Sequence, residues 1–259
     1  MRIKIILEPQ SYGVSLPIHY NYVIQSLIYR TFSEDLAKKL HDVGFKFENR
    51  IFKLFTFSRI LERGEQRDNK LFFKRKISFY FSSPFLNIVE NIGKGAIAST
   101  NVELLGQQLS VSGIEVISPP KIGSSNLVRM LSPLTMHSTL KKEDGTQKSY
   151  YYKPNDKEFS QLIEANAKKK YSLIKEKDAE DLSLEFKPVH FSVKENLCII
   201  KFKQTPIEAY TGIFELSGSK ELVEVTYEAG LGDRNPEGFG MWEIWKGGNL
   251  YNGSKHFDN

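Results

Sequence analysis

The sequence predicts an α+β protein built from two halves that share one plan. In each half, strand-like and helix-like patterns follow one another in an order that resembles βαββαβ, with an extra turn of helix early in the first half, although the two halves do not visibly match in sequence. A cluster of Pro, Gly and Ser at 118–125 separates them. The length of 259 residues suits two domains of about 120 residues each. We therefore expect one domain over 1–120, a second over 121–246 and a frayed tail over 247–259.

The elements of the first half follow from local patterns. Alternating apolar residues predict a strand over 2–8, and apolar residues at helical spacing predict a helix over 20–32. A second helix over 34–43 begins after Ser33, a good N-cap, and ends before Gly44. The remaining elements are strand-like runs over 52–60 and 71–81, a helix over 84–97 opened by Pro84, and two strands within 102–117 that turn at Gly106.

The second half repeats the plan and ends in a loop rich in glycine. Its elements are strands over 126–140 and 148–153, a helix over 156–172, strands over 184–193 and 197–204, and a helix over 219–229. The stretch AGLGDRNPEGFGMWEI follows that last helix and leads into a final strand. Glycine loses more backbone entropy on folding than any other residue, so a cluster of glycines needs a structural or functional reason.

Two interpretations of this glycine-rich loop remain open on physical grounds. The loop spans 230–240 and contains Gly230, Gly232, Gly238 and Gly240. Backbone N–H groups free of side chains can form an anion-binding concavity, in which Arg234 is the only cation. The alternative is a wide turn between a helix and a strand, in which the first glycine ends the helix.

Composition argues against a membrane protein and against a disulfide-linked one. Apolar residues make up 40% of the chain and charged residues 26%, which is ordinary for a globular protein. No apolar run is long enough to span a bilayer. The start MRIKIILEPQ alternates like a strand and lacks the pattern of a signal peptide. The single cysteine, Cys198, is expected in the core. These features indicate a cytoplasmic protein with no membrane partner.

Charge is distributed unevenly along the chain. Residues 1–177 carry 28 Lys and Arg against 17 Asp and Glu, whereas residues 178–259 carry 8 against 14. A basic body of this kind suits a polyanion such as nucleic acid, and a solvated lysine-rich surface is the alternative. The sequence contains no CxxC, HExxH or GxSxG motif and no cluster of carboxylates with histidine. We therefore expect no metal and no cofactor.

Several stretches together resemble the CRISPR repeat-processing endoribonucleases of the repeat-associated RNA-binding superfamily. GLGDRNPEGFGM resembles the glycine-rich loop of that superfamily. Two N-terminal stretches, LPIHYNYVIQSLIYRTF and LAKKLHDVGFKFENRIFKLFTFSRI, resemble the first helices and the next strand of the endoribonuclease. NLVRMLSPLTMHSTLKKEDGTQKSYYYKPNDKEF resembles the start of its second domain. The resemblance covers residues 2–245 and implies a tandem pair of ferredoxin-like domains.

The resemblance also implies a catalytic group of three residues. Tyr29 closes the first helix, His41 ends the second and Lys53 opens the next strand, and they match the Tyr, His and Lys that act in some members. His41 would be the general base or the general acid, and Tyr29 would take the opposite role or position the 2′-oxygen. Lys53 would stabilise the pentavalent phosphate, with Lys46 or Arg50 as its substitutes. The plain alternatives are a helix-terminal cation for His41, a core aromatic for Tyr29 and a surface lysine for Lys53.

The activity that the resemblance implies is metal-free cleavage of CRISPR repeat RNA. The 2′-hydroxyl of RNA can attack the adjacent phosphate, which leaves a cyclic phosphate and a 5′-hydroxyl. The implied partners are precursor and mature guide RNA and, further, other CRISPR effector subunits. A non-catalytic RNA-binding subunit of an effector complex is the alternative.

The expected RNA contacts combine the glycine-rich loop with single cations. The four glycines and Arg234 would meet the phosphate backbone, and two further cations, Arg129 and Lys142, would add to them. The lysine run 168–170 is interpreted as a solvated helix face.

Overall fold

Two antiparallel sheets, one in each half of the chain, frame the protein in the computed structural model, which describes residues 1–141 and 145–247. The strands of the first half are β1 Arg2–Pro9, β2 Val14–Pro17, β3 Phe45–Phe47, β4 Arg50–Phe52, β5 Thr56–Phe57, β6 Glu65–Arg67, β7 Lys70–Phe73, β8 Ile77–Ser82, β9 Asn101–Leu104 and β10 Gln107–Ile117. Its helices are α1 Asn21–Thr31, α2 Glu34–Lys38 with a π-helical turn Lys39–Val43, and α3 Leu86–Ala98.

The second half contains a similar set of elements. Its strands are β11 Ser125–Met130, β12 His137–Lys141, β13 Gln147–Tyr151, β14 Leu184–Val189, β15 Leu197–Phe202, β16 Thr205–Tyr210, β17 Ile213–Gly218 and β18 Trp242–Ile244. Its helices are α4 Lys157–Lys175, α5 Val193–Asn196, α6 Lys220–Ala229 and a 3-10 turn Asn235–Glu237 within the glycine-rich loop. The predicted tail over 247–259 falls outside the described residues beyond residue 247.

Both sheets have the strand order of a ferredoxin-like domain. The first sheet runs β5–β8–β1–β10–β9, and the second runs β14–β17–β11–β18. The pairings within them are antiparallel. In each sheet, the first strand of the βαββαβ unit lies between its third and fourth strands, and its second strand lies beside the third. The α+β fold of two tandem ferredoxin-like domains is therefore confirmed, with β9 as an added edge strand.

Each sheet buries one face beneath two helices, and this produces two separate cores. Apolar residues of α1 and α3 recur at helical spacing and pack on aromatic residues of β8. In the second half, α4 and α6 cover the sheet in the same way. The buried contacts come from Ile24, Ile28, Ile88, Ile92, Phe79 and Phe81 in the first core and from Phe159, Ile163, Leu222, Val223 and Phe214 in the second.

Arg2 and Thr56 join the first domain to the last helix, the glycine-rich loop and the last strand of the second domain. Arg2 is buried and donates from Nη1 to the carbonyl oxygen of Trp242 and from Nη2 to that of Tyr227, both at 2.9 Å. Its guanidinium carbon also lies 3.8 Å from the centre of the Tyr227 ring. Burial lowers the pKa of Arg2 to about 10, so the group is still charged at neutral pH. Thr56 Oγ1 donates to the carbonyl of Phe239 at 3.0 Å.

Two predicted strands of the first half are broken in the structure. The run 52–60 is interrupted at Leu54, whose φ of 52° lies in the left-handed region. The run 71–81 is interrupted by the exposed cations at 74–76. Each break lets the chain change partner, since β4 pairs with β3 and β7 pairs with β2, whereas β5 and β8 pair with each other. Pairing with different partner strands therefore determines where these strands end.

The second half departs further from prediction. The predicted strand 126–140 is divided into β11 and β12 by a segment that contains Pro133. The segment 205–218, over which the sequence pattern predicts no strand, forms β16 and β17. β17 lies between β11 and β14, and three of its six residues are buried. Pro, Gly and Glu in TPIEAYTGIFELSG weaken its strand pattern, so sheet pairing rather than local propensity forms it.

Several local details concern the predicted cysteine environment, helix cap and helix start. Cys198 is free and buried, as predicted. Ser33 occupies the N-cap of α2, but its side chain makes no capping bond and instead accepts a hydrogen bond from Asn91 Nδ2 at 3.2 Å. α3 begins at Leu86 and not at Pro84. Within the described ranges, no helix combines the length and the apolarity needed to cross a bilayer.

Candidate active site and interdomain cleft

Tyr29 lies near the end of α1, half-buried among aromatic side chains. Its ring centroid is 5.8 Å from that of Phe32 and 5.9 Å from that of Phe55, both in edge-to-face geometry. Burial raises the pKa of Tyr29 to about 12. The hydroxyl is protonated near neutral pH, as in an ordinary tyrosine, so it can donate a hydrogen bond and cannot act as a phenolate base.

His41 lies on the π-helical turn that continues α2. Leu40, which is fully buried, anchors this turn, and π turns inside helices are frequent at functional sites. The His41 side chain is 78% exposed, and its Nδ1 lies 2.8 Å from Asp42 Oδ1. Its ring centroid is 6.2 Å from that of Tyr29. If Nδ1 carries the proton donated to Asp42, Nε2 presents a lone pair to solvent.

Lys53 reaches the same surface from the segment after β4. Its Nζ donates to the carbonyl oxygen of His41 at 2.6 Å. Partial burial lowers the pKa of Lys53, while the carboxylate of Asp42 opposes that shift. The left-handed backbone at Leu54 turns the chain directly after Lys53. The structure thus brings Tyr29, His41 and Lys53 together from three segments of the first domain.

A buried lysine holds the glycine-rich loop from inside. Lys170 on α4 is 1% exposed, and its Nζ donates to the carbonyl oxygens of Gly230 at 2.7 Å and Gly232 at 2.9 Å and to Asn235 Oδ1 at 2.7 Å. Asn235 Nδ2 in turn donates to two further carbonyls of the loop, at 3.0 and 3.1 Å. Burial lowers the pKa of Lys170 to about 7, against the attraction of Asp233. Hydrogen bonds from Lys170 and Asn235 to its own carbonyl oxygens therefore hold the loop in shape.

The prediction that residues 168–170 form a solvated face is wrong for Lys170. Ile163, Ala167 and Lys170 recur at the spacing of one helix face, and all three are buried. Lys168 and Lys169 keep part of their surface exposed. The helical period of α4 therefore held the signal that Lys170 faces inward.

The glycine-rich loop also contacts the first domain. Asn21 Nδ2 donates to the carbonyl oxygen of Glu237 at 2.9 Å, and Gln25 Nε2 donates to that of Pro236 at 2.7 Å. Both side chains come from α1, the helix that carries Tyr29 towards its other end. The loop is thus one of the links that set the orientation of the two domains.

The four glycines allow the loop backbone to approach other atoms closely. Their φ angles are 88° at Gly230, 68° at Gly232, 84° at Gly238 and 77° at Gly240. A Cβ at Gly240 would lie 1.9 Å from a backbone carbonyl oxygen, and a Cβ at Gly238 would lie 2.5 Å from the Phe57 ring. All four glycines are buried. Close packing accounts for these residues, and their contact with RNA stays a prediction.

Gly240→Ala is expected to lower the free energy of unfolding by about 2–5 kcal/mol, because it adds both backbone strain and a steric clash. Denaturant titration of the purified variant measures this loss. Gly93→Ala is the matched control, since Gly93 lies inside α3 with no atom within 4 Å of the added Cβ. The control should be as stable as the parent or up to about 1 kcal/mol more stable. Equal stability of both variants would contradict the close approach at Gly240.

A cleft of about 470 Å³ opens between the segment 50–54 of the first domain and the glycine-rich loop of the second. The titratable residues that line it are Arg50, Lys53, His137, Lys170, Asp233, Arg234 and Glu237. Lys53 belongs both to this cleft and to the group formed with His41 and Tyr29. A chain bound in the cleft would therefore run past those side chains.

The two carboxylates of the cleft are matched by nearby hydrogen-bond donors. Asp233 accepts from the backbone N–H of His137 and from Asn166 Nδ2, both at 3.1 Å. Burial alone would raise the pKa of Asp233, but its bonds to His137 outweigh burial and lower it. Glu237 bonds Arg234 Nη1 at 3.1 and 3.2 Å, and burial raises the pKa of Glu237.

Two cations on the opposite wall of the cleft have no carboxylate partner within residues 1–141 and 145–247. Among the described residues, Arg50 and Lys53 form no ion pair with a carboxylate. This unbalanced positive charge suits an anionic ligand.

The remaining predicted contacts lie elsewhere. Arg129 on β11 is ion-paired with Glu243 on β18, with Nε 3.1 Å from Oε1. Lys142 falls outside the described residues. Lys46, named as a substitute for Lys53, is an exposed residue of β3. Their roles toward RNA stay predictions.

Two family models match the chain, one in each half. The model described as CRISPR-associated protein Cas6, N-terminal, matches residues 15–115. The model described as CRISPR associated protein Cas6, C-terminal, matches residues 117–244. Together the two matches extend over most of the chain.

Individual proteins are similar over nearly the whole length. CRISPR-associated endoribonuclease Cas6 1 of Methanocaldococcus jannaschii is 27% identical over 247 residues, which cover 93% of this chain and 91% of that protein. CRISPR-associated endoribonuclease Cas6 of Pyrococcus furiosus is 28% identical over 252 residues, which cover 93% of this chain and 88% of that protein. A solved structure named CRISPR associated protein Cas6 has a TM-score of 0.77 at 25% identity and covers 95% of this chain and 99% of its own.

Proposed function

The chain belongs to the Cas6 family of CRISPR-associated proteins, and on this basis we propose that it is an endoribonuclease that cleaves CRISPR repeat RNA in precursor transcripts. The two curated relatives named above are endoribonucleases by name, which supports this activity. We propose further that cleavage needs no metal, that it takes place in the cytoplasm, and that the protein hands its product to other CRISPR effector subunits.

One observation carries the proposal: Tyr29, His41 and Lys53 meet at an exposed surface beside a cleft. His41 Nδ1 is 2.8 Å from Asp42, the Lys53 ammonium is bonded to the His41 backbone, and the Tyr29 ring lies across from the imidazole. Acid–base groups and a cation are the parts that RNA cleavage by its own 2′-hydroxyl requires.

The proposed chemistry is an internal transesterification. His41 Nε2 takes the proton of the 2′-hydroxyl, and the 2′-oxygen forms a bond to the adjacent phosphorus. The bond from phosphorus to the 5′-oxygen breaks, and that oxygen takes up a proton. A 2′,3′-cyclic phosphate and a 5′-hydroxyl result, with no water consumed.

The proposed roles of Tyr29 and Lys53 depend on the protonation state of each side chain. Tyr29 is protonated at neutral pH, as an ordinary tyrosine is, and burial raises its pKa further, so its hydroxyl is the candidate donor to the leaving oxygen or to the phosphate. Lys53 stabilises the charge that develops on the phosphorane. The lysine must be an ammonium for that role, and the neighbouring carboxylate of Asp42 favours this form.

RNA binding is assigned to the interdomain cleft and its surroundings. Arg50 and Lys53, which pair with no carboxylate in the described part of the chain, offer positive charge on one wall, and Arg234 and His137 lie on the other. Arg129, Lys142 and the four glycines of the loop are the further proposed contacts. Phosphate contacts of this kind would hold the RNA without reading its sequence.

The test is a cleavage assay in EDTA. End-labelled RNA of the CRISPR repeat from the source genome is incubated with pure protein, beside a copy that carries a 2′-deoxy sugar at the cut site. Cleavage in EDTA that the deoxy sugar abolishes is the expected result. Cleavage of the deoxy RNA, or a requirement for Mg²⁺, would overturn the mechanism.

The same assay decides the alternative role. A non-catalytic RNA-binding subunit would bind both RNAs tightly and cut neither. Tyr29, His41 and Lys53 would then be structural residues.

A further inference from the structure

We propose that a cationic and aromatic surface on the small sheet β2–β7–β6 is a second RNA-binding surface, which holds a single-stranded segment of the substrate away from the scissile phosphate. This surface, called the Tyr12 surface, consists of Tyr12, Arg67, Lys70, Phe72 and Lys74. The inference rests on the proposed RNA-cleaving function, and its test separates the two.

The centre of the Tyr12 surface is a pair of stacked rings. Tyr12 is 71% exposed, and its ring centroid lies 5.9 Å from that of Phe72 with 24° between the planes. The Arg67 guanidinium carbon is 3.9 Å from the centre of the Phe72 ring, and Lys74 Nζ is 5.5 Å from the centre of the Tyr12 ring. An exposed ring beside the Lys74 ammonium is suited to stack on a base while that cation meets a phosphate.

The fold holds these rings in place. Val14 and Phe73 pair across β2 and β7 and are buried, which leaves Phe72 on the outward side of the same strand. The chain passes closely over Phe72 at Gly13, where a Cβ would lie 2.5 Å from the ring. Tyr12 is therefore positioned beside Phe72 by its backbone. A preformed platform loses little conformational entropy when it binds.

The surrounding charge is complementary to a nucleic acid. Residues 63–76 hold six Lys and Arg against two Asp and Glu, and all six cations are exposed. One of the two acids, Glu65, is occupied by Arg67 at 2.8 Å. Within the described residues, Arg63, Lys70, Arg75 and Lys76 have no ion-pair partner. Their charge is available to phosphates.

The Tyr12 surface is distinct from the proposed active site. It is built from β2, β6 and β7, whereas Tyr29, His41 and Lys53 come from α1, the π-helical turn and the segment after β4. The cations alone would also attract an acidic protein, but stacked rings with flanking cations favour single-stranded RNA. A bound segment here would anchor the substrate by a part that is not cut.

The experiment compares two RNAs with a 2′-deoxy sugar at the cut site: the full repeat and a copy trimmed to the nucleotides around the scissile phosphate. Tyr12→Ala is expected to weaken binding of the full repeat by about 5- to 150-fold, the worth of one stacked base. Tyr12→Phe keeps the ring and should bind like the parent. Lys74→Ala should lower the salt dependence of binding, by about 0.7 in the slope of log K for one phosphate contact with a single strand.

Controls and outcomes keep the inference separate from the proposed function. Lys220→Ala, which removes an exposed lysine of α6, should leave affinity and its salt slope unchanged. Each variant should keep the parent's melting temperature and should cut a trimmed ribose substrate at the parent's rate.

Unchanged affinity of Tyr12→Ala for the full repeat overturns the inference and favours an acidic protein as the partner. Equal weakening toward both RNAs overturns it as well. Failure of the parent itself to cut any RNA would reject the proposed function and not the binding surface.

Discussion

His41→Ala is expected to slow cleavage by ~10²–10⁴-fold, the usual worth of a positioned acid or base. The imidazole is exposed and makes its side-chain bond to the neighbouring Asp42, so its removal should disturb the fold little. Single-turnover cleavage of repeat RNA measures the loss. The dissociation constant of the 2′-deoxy repeat should stay within a few-fold of the parent's value. The reason is that the His41 side chain stabilises the transition state of cleavage more than it stabilises the complex with uncut RNA.

The control for this variant is His190→Asn. His190 is exposed in the second domain and has a φ of 50°, a conformation that asparagine tolerates better than alanine. Its cleavage rate should match the parent's. Full activity in His41→Ala would remove His41 from the mechanism, and a parallel loss in both variants would point to a general effect on folding.

Lys170→Met is expected to destabilise the protein on the order of 3 kcal/mol near neutral pH, because three buried oxygen acceptors of the glycine-rich loop lose their donor. Cleavage should also fall, since the loop bonds α1, which carries Tyr29. Lys169→Met on the same helix is the matched control and should change stability by less than about 0.5 kcal/mol. Denaturant titration of both variants measures the difference. Equal stability of the two variants would contradict the stabilising role of the buried hydrogen bonds from Lys170 to the loop.

The same lysine predicts a pH dependence of stability. Its pKa is lowered to about 7 in the folded protein, below the ordinary value of 10.5. Between these values the unfolded chain binds a proton that the folded protein does not, so the free energy of unfolding should rise as pH increases from 7 towards 10. Titrations at pH 7 and pH 9 should show this rise in the parent and a smaller one in Lys170→Met. A fall in stability over this range would contradict the lowered pKa.

Local pattern was sufficient for the elements whose periodicity is strong. The helix over 20–32 and the turn at Gly106 appear in the structure within two residues of their predicted bounds, as α1 and as the turn between β9 and β10. The breaks at Leu54 and at 74–76 were not predictable in this way. Both stretches are continuous strand-like runs, and only their pairing with different partner strands divides them.

In the candidate site, too, the sequence predicted some features and only the structure revealed others. Sequence resemblance was enough to name Tyr29, His41 and Lys53, because each lies in a recognisable segment. Their approach to one surface depends on the π-helical turn and on the left-handed bend after Lys53. Neither feature has a signal that a propensity or a helical period would reveal.

By itself the sequence determined that this protein has two α+β domains, a basic first half and a glycine-rich loop before its last strand. Periodicity and composition are local properties, and they suffice for such features. The tertiary structure alone decided that Lys170 donates to three oxygens of that loop, that β17 is a central strand, and that Tyr12 stacks on Phe72 beside a run of cations. Each of these depends on contacts between segments far apart in the chain, whose energy no single stretch of sequence contains.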